Sequence, residues 1–238
     1  MKQLGITRSQ DELLYLAAEA ARLDVQVVPL PLFGYESVSF EITSKELWGI
    51  SWLCFTSARA VEYFFHALKE GRHAIAPETQ FAVIGKKTAR ALEARGFYPD
   101  LQPSVAEGEK LAAELLERLD SDETIVYITA EEVRYDPAEL FESAGQNYRR
   151  LVVYRAEPLK LGKEIVNKFS AEDSILFTSP NAALRFAELF GSPQAQVLAI
   201  GNVTAAAITR LGWKNSQTLP EPDVRLALEM CRHPVNQT

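Results

Sequence analysis

Little in this chain suits metal or redox chemistry. Only two cysteines and three histidines occur among 238 residues. Cys54 and Cys231 lie far apart and neither has a partner at ligand spacing, which argues against a structural metal. Cys54 falls inside an apolar run that predicts a buried strand, so free thiols in a reducing compartment are expected rather than a disulfide scaffold. His66, His73 and His233 are scattered; the first two are expected as solvated helix-end residues, and no Ser/His/Asp set assembles around them. No G-x-G-x-x-G follows a strand. Gly85-Lys86 looks like the end of a phosphate loop, but Gln80 and Lys87 break that pattern. No apolar run reaches the length of a bilayer span, and the first residues enter a strand directly, so a cytoplasmic protein with no membrane partner is expected. The net charge of −7 argues against nucleic acid as a partner.

What the chain does contain is globular material: 47% hydrophobic residues and 24% charged, enough for one large domain or two ordinary ones. It also contains a repeated pattern. Leu53-Cys54-Phe55-Thr56-Ser57-Ala58-Arg59 returns as Leu176-Phe177-Thr178-Ser179-Pro180-Asn181, each an apolar run, then a Thr-Ser turn, then a helical pattern. Each copy is followed by a second such unit, Ala82-Val83-Ile84-Gly85 and then Leu198-Ala199-Ile200-Gly201. Thr7 and Thr56 are separated by 49 positions, as are Thr129 and Thr178. The repeat therefore runs over roughly 1–122 and 123–238, too long a period for a solenoid, and predicts two related domains facing one site.

Between these motifs, short apolar strands alternate with helical patterns. Helices are expected over 13–23 (capped by Ser9 or Asp11), after Ser57 to a stop at Gly71, and over 88–95 before Gly96. Others are expected over 109–119, 137–143, 182–190 and 204–211, with a last one between Pro220 and Cys231. Few strands alternate cleanly, which predicts parallel sheets covered on both faces. Pro29-Leu30-Pro31 and Glu157-Pro158 occupy the same place in each half, just after the second strand. They mark crossings that would make one domain discontinuous.

In such sheets ligands bind at the strand C-termini, where helices begin. Here those turns are small and hydroxylic: Thr7-Arg8-Ser9, Thr56-Ser57-Ala58, Gly85-Lys86-Lys87-Thr88, Thr129-Ala130, Thr178-Ser179-Pro180 and Gly201-Asn202-Val203-Thr204. Free helix amides with hydroxyls make anion sites. The same residues also serve as plain helix caps. Their recurrence in both halves favours one large ligand with many carboxylates.

These residues resemble the uroporphyrinogen-III synthase family. The features that carry the resemblance are Ile6-Thr7-Arg8, both Phe-Thr-Ser turns, Val83-Ile84-Gly85 with Thr88-Ala89, Ala106-Glu107-Gly108, Val153-Tyr154-Arg155, and Ala199-Ile200-Gly201 with Thr204-Ala205. They span the whole chain in order. The resemblance implies two flavodoxin-like α/β domains with parallel sheets, joined by a two-stranded linker: 1–33 plus 158–238 as one, 36–155 as the other, with linkers near 29–36 and 154–159. It implies a cofactor-free, metal-free cyclisation of hydroxymethylbilane, a linear tetrapyrrole polycarboxylate, to uroporphyrinogen III, with inversion of the last pyrrole and loss of water. A monomer is expected, with transient handover from the preceding pathway enzyme.

Carried over, Tyr154 is the proton donor to the leaving hydroxyl; a strand-end aromatic packing at a domain boundary fits its sequence equally well. Substrate carboxylates would meet amides and hydroxyls around Ser57, Ala58, Lys86, Lys87, Thr88, Thr129, Ser179, Pro180, Asn202 and Thr204. Arg8 and Arg59 would be ion-pair donors or else solvated surface. Three departures stand out: acidic Glu131-Glu132 where a glycine-containing turn is usual, Arg59 for a common Asn, and Ala156 for a Thr. They leave open a relative that kept the fold as a non-catalytic, two-lobed binding protein or sensor for an anionic small molecule.

Overall fold

A computed structural model describes residues 1–214 and 216–232. The chain divides into two compact units, Met1–Gly34 with Pro158–Thr238, and Tyr35–Glu157. It begins with β1 (Lys2–Ile6), a 3-10 turn (Asp11–Leu16), α1 (Ala17–Arg22) and β2 (Val25–Pro29). The second unit follows with β3 (Phe33–Ser37), α2 (Ser44–Trp48), β4 (Trp52–Phe55), α3 (Ala58–Gly71), β5 (Gln80–Val83) and α4 (Lys86–Glu93). It continues with α5 (Gly108–Leu116), β6 (Thr124–Ala130), α6 (Ala138–Ser143) and β7 (Asn147–Pro158). The chain then completes the first unit with α7 (Lys163–Val166), β8 (Ser174–Phe177), α8 (Pro180–Phe190), β9 (Gln196–Ala199), α9 (Asn202–Arg210), β10 (Ser216–Thr218) and α10 (Val224–Arg232).

The first unit's sheet runs β10-β9-β8-β1-β2, with each neighbouring pair parallel. Numbered within its own unit that order is 2-1-3-4-5, the doubly wound flavodoxin arrangement. The second sheet runs β3-β7-β6-β4-β5, and its β7-β6-β4-β5 pairs are parallel. Side-chain alternation assigns the two faces. In β4, Leu53 and Phe55 enter one buried cluster while Trp52 and Cys54 enter another. In β8, Leu176 goes one way, and Ile175 and Phe177 the other. Burial on both faces is what parallel strands require, and each fully buried Phe or Leu contributes about 1.5–3 kcal/mol.

The helices after the two Thr-Ser turns dock by the same pair of rings. Phe55 meets Phe64 edge-on at 5.6 Å, and Phe177 meets Phe186 edge-on at 5.3 Å. Gly5 lets β1 sit close to its neighbours, since a Cβ there would come within 2.7 Å of Leu30 and 2.9 Å of Phe169, both buried.

Some local expectations are corrected. The segment 13–23 is not one helix: a 3-10 turn precedes α1, and Gln10, rather than Ser9 or Asp11, stands at its start without a side-chain cap. Ser9 is instead bonded to Glu12 (3.1 Å). Gly71 does not end α3 by conformation, because the left-handed residue is Arg72 (φ 55°). Gly71 supplies space, since a Cβ there would meet the His73 ring at 2.5 Å. Gly96 and Gly212 do take left-handed backbones (φ 86° and 76°), as expected of helix stops. His66 lies inside α3, 3.5 Å from Glu70, and His73 meets Ser44 at 3.0 Å; His233 lies outside the described residues.

Candidate active site

The strand-to-helix turns show two designs. Ser57 and Ser179 take matching extended conformations (φ −161°, ψ 158° and φ −159°, ψ 158°). Their hydroxyls accept the third helical amide, from Ala60 at 3.0 Å and from Ala182 at 3.1 Å. Pro180 opens α8, where its missing N–H costs nothing. Gly85 and Gly201 start α4 and α9 with no side-chain cap. The first-turn amides of those helices therefore lack intrahelical partners. Lys86, Lys87 and Asn202 are exposed around them, whereas Thr88 and Thr204 are each only 3% exposed. Arg8 is half-buried just beyond β1. Thr7 and Thr178 bond one another there, at 3.1 Å between hydroxyls.

The densest arrangement lies in the second unit, around Tyr154. β6 and β7 slip register at the end of their pairing: Thr129 faces Val152, but Ala130 faces Tyr154. Neighbouring strand residues normally point to opposite faces. The irregularity instead sends Leu151, Val153 and Tyr154 into one cluster, the re-aiming a bulge produces. Tyr154 is 8% exposed. Its ring stacks on Tyr63 (5.4 Å, 13° between planes) and meets Tyr35 edge-on at 6.0 Å. The Tyr63 hydroxyl donates to the Tyr35 carbonyl (2.9 Å), and the Arg59 guanidinium lies 3.7 Å over the Tyr35 ring. The Tyr154 phenol oxygen reaches Ser57 Oγ at 3.0 Å.

Burial raises the Tyr154 phenol above the ordinary tyrosine value, while the Ser57 hydrogen bond and the positive charge of Arg59 pull against it. Burial raises Tyr63 as well. Both phenols are therefore protonated at neutral pH, and the neutral Tyr154 hydroxyl is held beside the N-terminus of α3.

Thr129 is 2% exposed and lies at the next turn. Its hydroxyl accepts from Arg150 Nε at 3.1 Å. The same guanidinium donates to the carbonyls of Ala130 (3.0 Å) and Glu131 and pairs with Asp136 (3.2 Å). One arginine thus fastens the acidic Glu131-Glu132 turn by its backbone, and the Glu131 amide donates to the Tyr154 carbonyl at 2.9 Å.

The structure thus gathers Tyr154, Ser57, Ala58 and Arg59 at one turn, with Thr129 one strand away. Lys86, Lys87 and Thr88 follow the neighbouring strand β5 of the same sheet. Arg8, Ser179, Pro180, Asn202 and Thr204 belong to the first unit. Sequence reasoning missed Tyr35, Tyr63 and Arg150. Tyr63 had a signal, lying one helical turn (four positions) after the candidate Arg59 on α3; Tyr35, on a short, mostly exposed strand after two prolines, had none. Among the described residues, no three or more His, Cys, Asp or Glu side chains come together to hold a metal, and no helix is long and apolar enough to cross a membrane.

A model of the family described as uroporphyrinogen-III synthase HemD matches residues 15–228. The chain is 25% identical over 225 residues to a uroporphyrinogen-III synthase of Chlorobaculum parvum, covering 90% of this chain and 91% of the relative. Among solved structures, the uroporphyrinogen-III synthetase of Helicobacter pylori 26695 aligns with a TM-score of 0.68 at 21% identity, over 97% of this chain and 98% of that one. A mutant uroporphyrinogen III synthase of the extremely thermophilic bacterium Thermus thermophilus aligns with a TM-score of 0.59 at 17% identity, over 97% and 96%. At those identities the two structures speak for the fold.

Proposed function

The chain belongs to the uroporphyrinogen-III synthase family, and we propose that it carries out that family's reaction in porphyrin biosynthesis. It closes linear hydroxymethylbilane to uroporphyrinogen III, inverting the last pyrrole ring and losing water, as a cyclising lyase without cofactor. The observation that carries this reading is the family match, which extends through the chain from residue 15 to residue 228.

The chemistry asks little of the protein beyond positioning and one proton. Hydroxide leaves the hydroxymethyl carbon with help from the pyrrole nitrogen, giving an electrophilic azafulvene. The last ring attacks through its substituted carbon to form a spiro intermediate, which fragments and recloses. Tyr154 is the donor to the leaving oxygen; its burial and protonation at neutral pH support that role. We assign substrate carboxylates to the N-terminal turns at Ser57-Ala58, Lys86-Lys87-Thr88, Ser179-Pro180 and Asn202-Thr204, with Thr129, Arg8 and Arg59 as further contacts. Exposed Lys86, Lys87 and Asn202 beside uncapped helix amides favour this assignment. The units Met1–Gly34 with Pro158–Thr238 and Tyr35–Glu157 are read as the enzyme's two domains. The protein acts as a cytoplasmic monomer that takes its unstable substrate from the preceding enzyme, with no membrane or nucleic-acid partner.

A product-isomer assay tests the reading. Hydroxymethylbilane generated in situ is incubated with the protein, the products are oxidised, and the uroporphyrin isomers are separated. Isomer III in excess over spontaneous isomer I is expected. Isomer I alone from folded protein would overturn the enzyme reading in favour of a non-catalytic binding protein for an anionic small molecule.

A further inference from the structure

The device that turns β4 into α3 and β8 into α8 is the same, except in one respect. Ser57 and Ser179 each cap the third helical amide with nearly equal backbone angles. Among the described residues Ser179 is bonded to no tyrosine, whereas Ser57 also meets the Tyr154 phenol at 3.0 Å. A cap needs no phenol, so this second contact is not explained by helix stability. Nor can the phenol readily leave it: the Tyr154 ring is stacked on Tyr63, and the register slip beside it fixes which way the side chain points.

A serine hydroxyl has one proton to give and two lone pairs. The Ala60 amide occupies one lone pair. The contact with Tyr154 then has two forms. Either the phenol donates to Ser57, which ties up the proton, or Ser57 donates to the phenol oxygen, which leaves the phenol proton free to point away.

We propose that Ser57 is a positioning residue for proton transfer by Tyr154. It donates its hydroxyl proton to the phenol oxygen and then holds the phenolate against the N-terminus of α3. This rests on the cyclase reading above. As the C–O bond of the hydroxymethyl group breaks, its electron pair leaves with the oxygen, and the Tyr154 proton completes a water molecule. The phenolate is stabilised by the Ser57 hydroxyl and by the positive end of α3. It recovers a proton when the ring carbon that forms the closing bond loses its hydrogen and the pyrrole regains aromaticity. No other reactant is needed. Arg59, the second residue of α3, adds positive charge at the same helix end.

The test compares Ser57→Gly, which keeps most of the capping stability, with Ser57→Thr, which keeps the hydroxyl. The Ser57 hydroxyl proton is committed to Tyr154, so a carboxylate at this turn meets only backbone amides, which glycine keeps. For Ser57→Gly, kcat for isomer III is therefore expected to fall about 10- to 100-fold with KM unchanged, and Ser57→Thr to restore most of it. Ionisation of Tyr154 is followed by NMR of protein carrying carbon-13 at tyrosine Cζ, the signal being identified by its loss in Tyr154→Phe. It should move to higher pH in Ser57→Gly and return in Ser57→Thr. A raised KM with unchanged kcat, the mark of a hydroxyl that only binds substrate, would overturn the proposal. So would an ionisation that ignores Ser57 in a protein that makes isomer III. Failure of the unaltered protein to make isomer III would overturn the cyclase reading, and this proposal with it.

Discussion

Replacing Tyr154 by phenylalanine removes one oxygen and leaves the ring where it is. Tyr154 is 8% exposed, with its ring stacked at 5.4 Å on Tyr63 and packed in one cluster with Leu151 and Val153, none of which needs the hydroxyl. The stability at stake is therefore one hydrogen bond to a half-buried serine, about 0.5–1.5 kcal/mol, or a few degrees in Tm. Activity stands to lose far more: a positioned general acid is worth about 100- to 10,000-fold, or roughly 3–5 kcal/mol of barrier. Uncatalysed closure competes in the same tube, so Tyr154→Phe should lower kcat and shift product from isomer III toward isomer I. Tyr154→Ala is the contrasting control, since emptying the stack costs about 3–5 kcal/mol of stability as well. The sign of the pH effect follows from the raised phenol value. The hydroxyl's contribution to stability is fully present below about pH 10, the ordinary phenol value, and is lost only as pH rises through the higher folded one, so a neutral assay compares protonated states. A folded Tyr154→Phe protein with unaltered kcat and isomer ratio would refute the donor role.

Two further outcomes follow from other side chains. Arg150→Met keeps the stem but releases Thr129, the Ala130 and Glu131 carbonyls and Asp136, so a loss of about 1–3 kcal/mol is expected. Amide exchange at Glu131 should quicken, and unchanged exchange there would show that the clasp does not hold the turn. Asp173 accepts from the Gln3 amide and from the Ser170 amide and hydroxyl, each at 2.8 Å. Burial pushes its carboxyl up, but those bonds outweigh it and leave the value lowered. Its contribution is thus present above the unfolded carboxylate value near 3.9 and lost as pH falls through the folded one. Asp173→Asn should cost about 1–3 kcal/mol at neutral pH, with the gap to the parent closing in acid titrations; a gap that widens in acid would contradict the assignment.

The alternation of strands and helices, and the two Phe-Thr-Ser turns, could be read directly because buried parallel strands must be continuous apolar runs and Ser57 and Ser179 are hydroxyl caps of the helices that follow. The α/β class with parallel sheets stands. What escaped was structure that carries little apolar signal of its own. β7 begins at Asn147 rather than near Leu151, its first four residues being Asn147, Tyr148, Arg149 and Arg150, and those charges concealed both the strand and the clasp. α2 and α7 have five and four residues, too short to show periodicity. The register slip at Ala130 could not be inferred, because it depends on pairing between strands. Yet it is what turns Tyr154 toward Tyr63 and Ser57. The serine was legible as a cap, while its second bond required the fold.

The insertion of one unit within the other also has a consequence in time. β1 is an inner strand of its sheet, yet one of its partners, β8, is made much later, and Gln3 sits 170 positions from the Asp173 that anchors it. At about 5–20 residues per second of synthesis, the first strand emerges roughly 10–30 seconds before its neighbour exists. The intervening unit carries all its own strand partners and can fold during that interval. Once it has, with Val38 bonded to Val153 at 3.0 Å near its two ends, a long loop has become a short bridge. The entropy of joining β1 to β8 falls accordingly. Destabilising residues 35–157 should therefore slow assembly of the sheet that surrounds them in sequence, read as a slower refolding phase of that sheet.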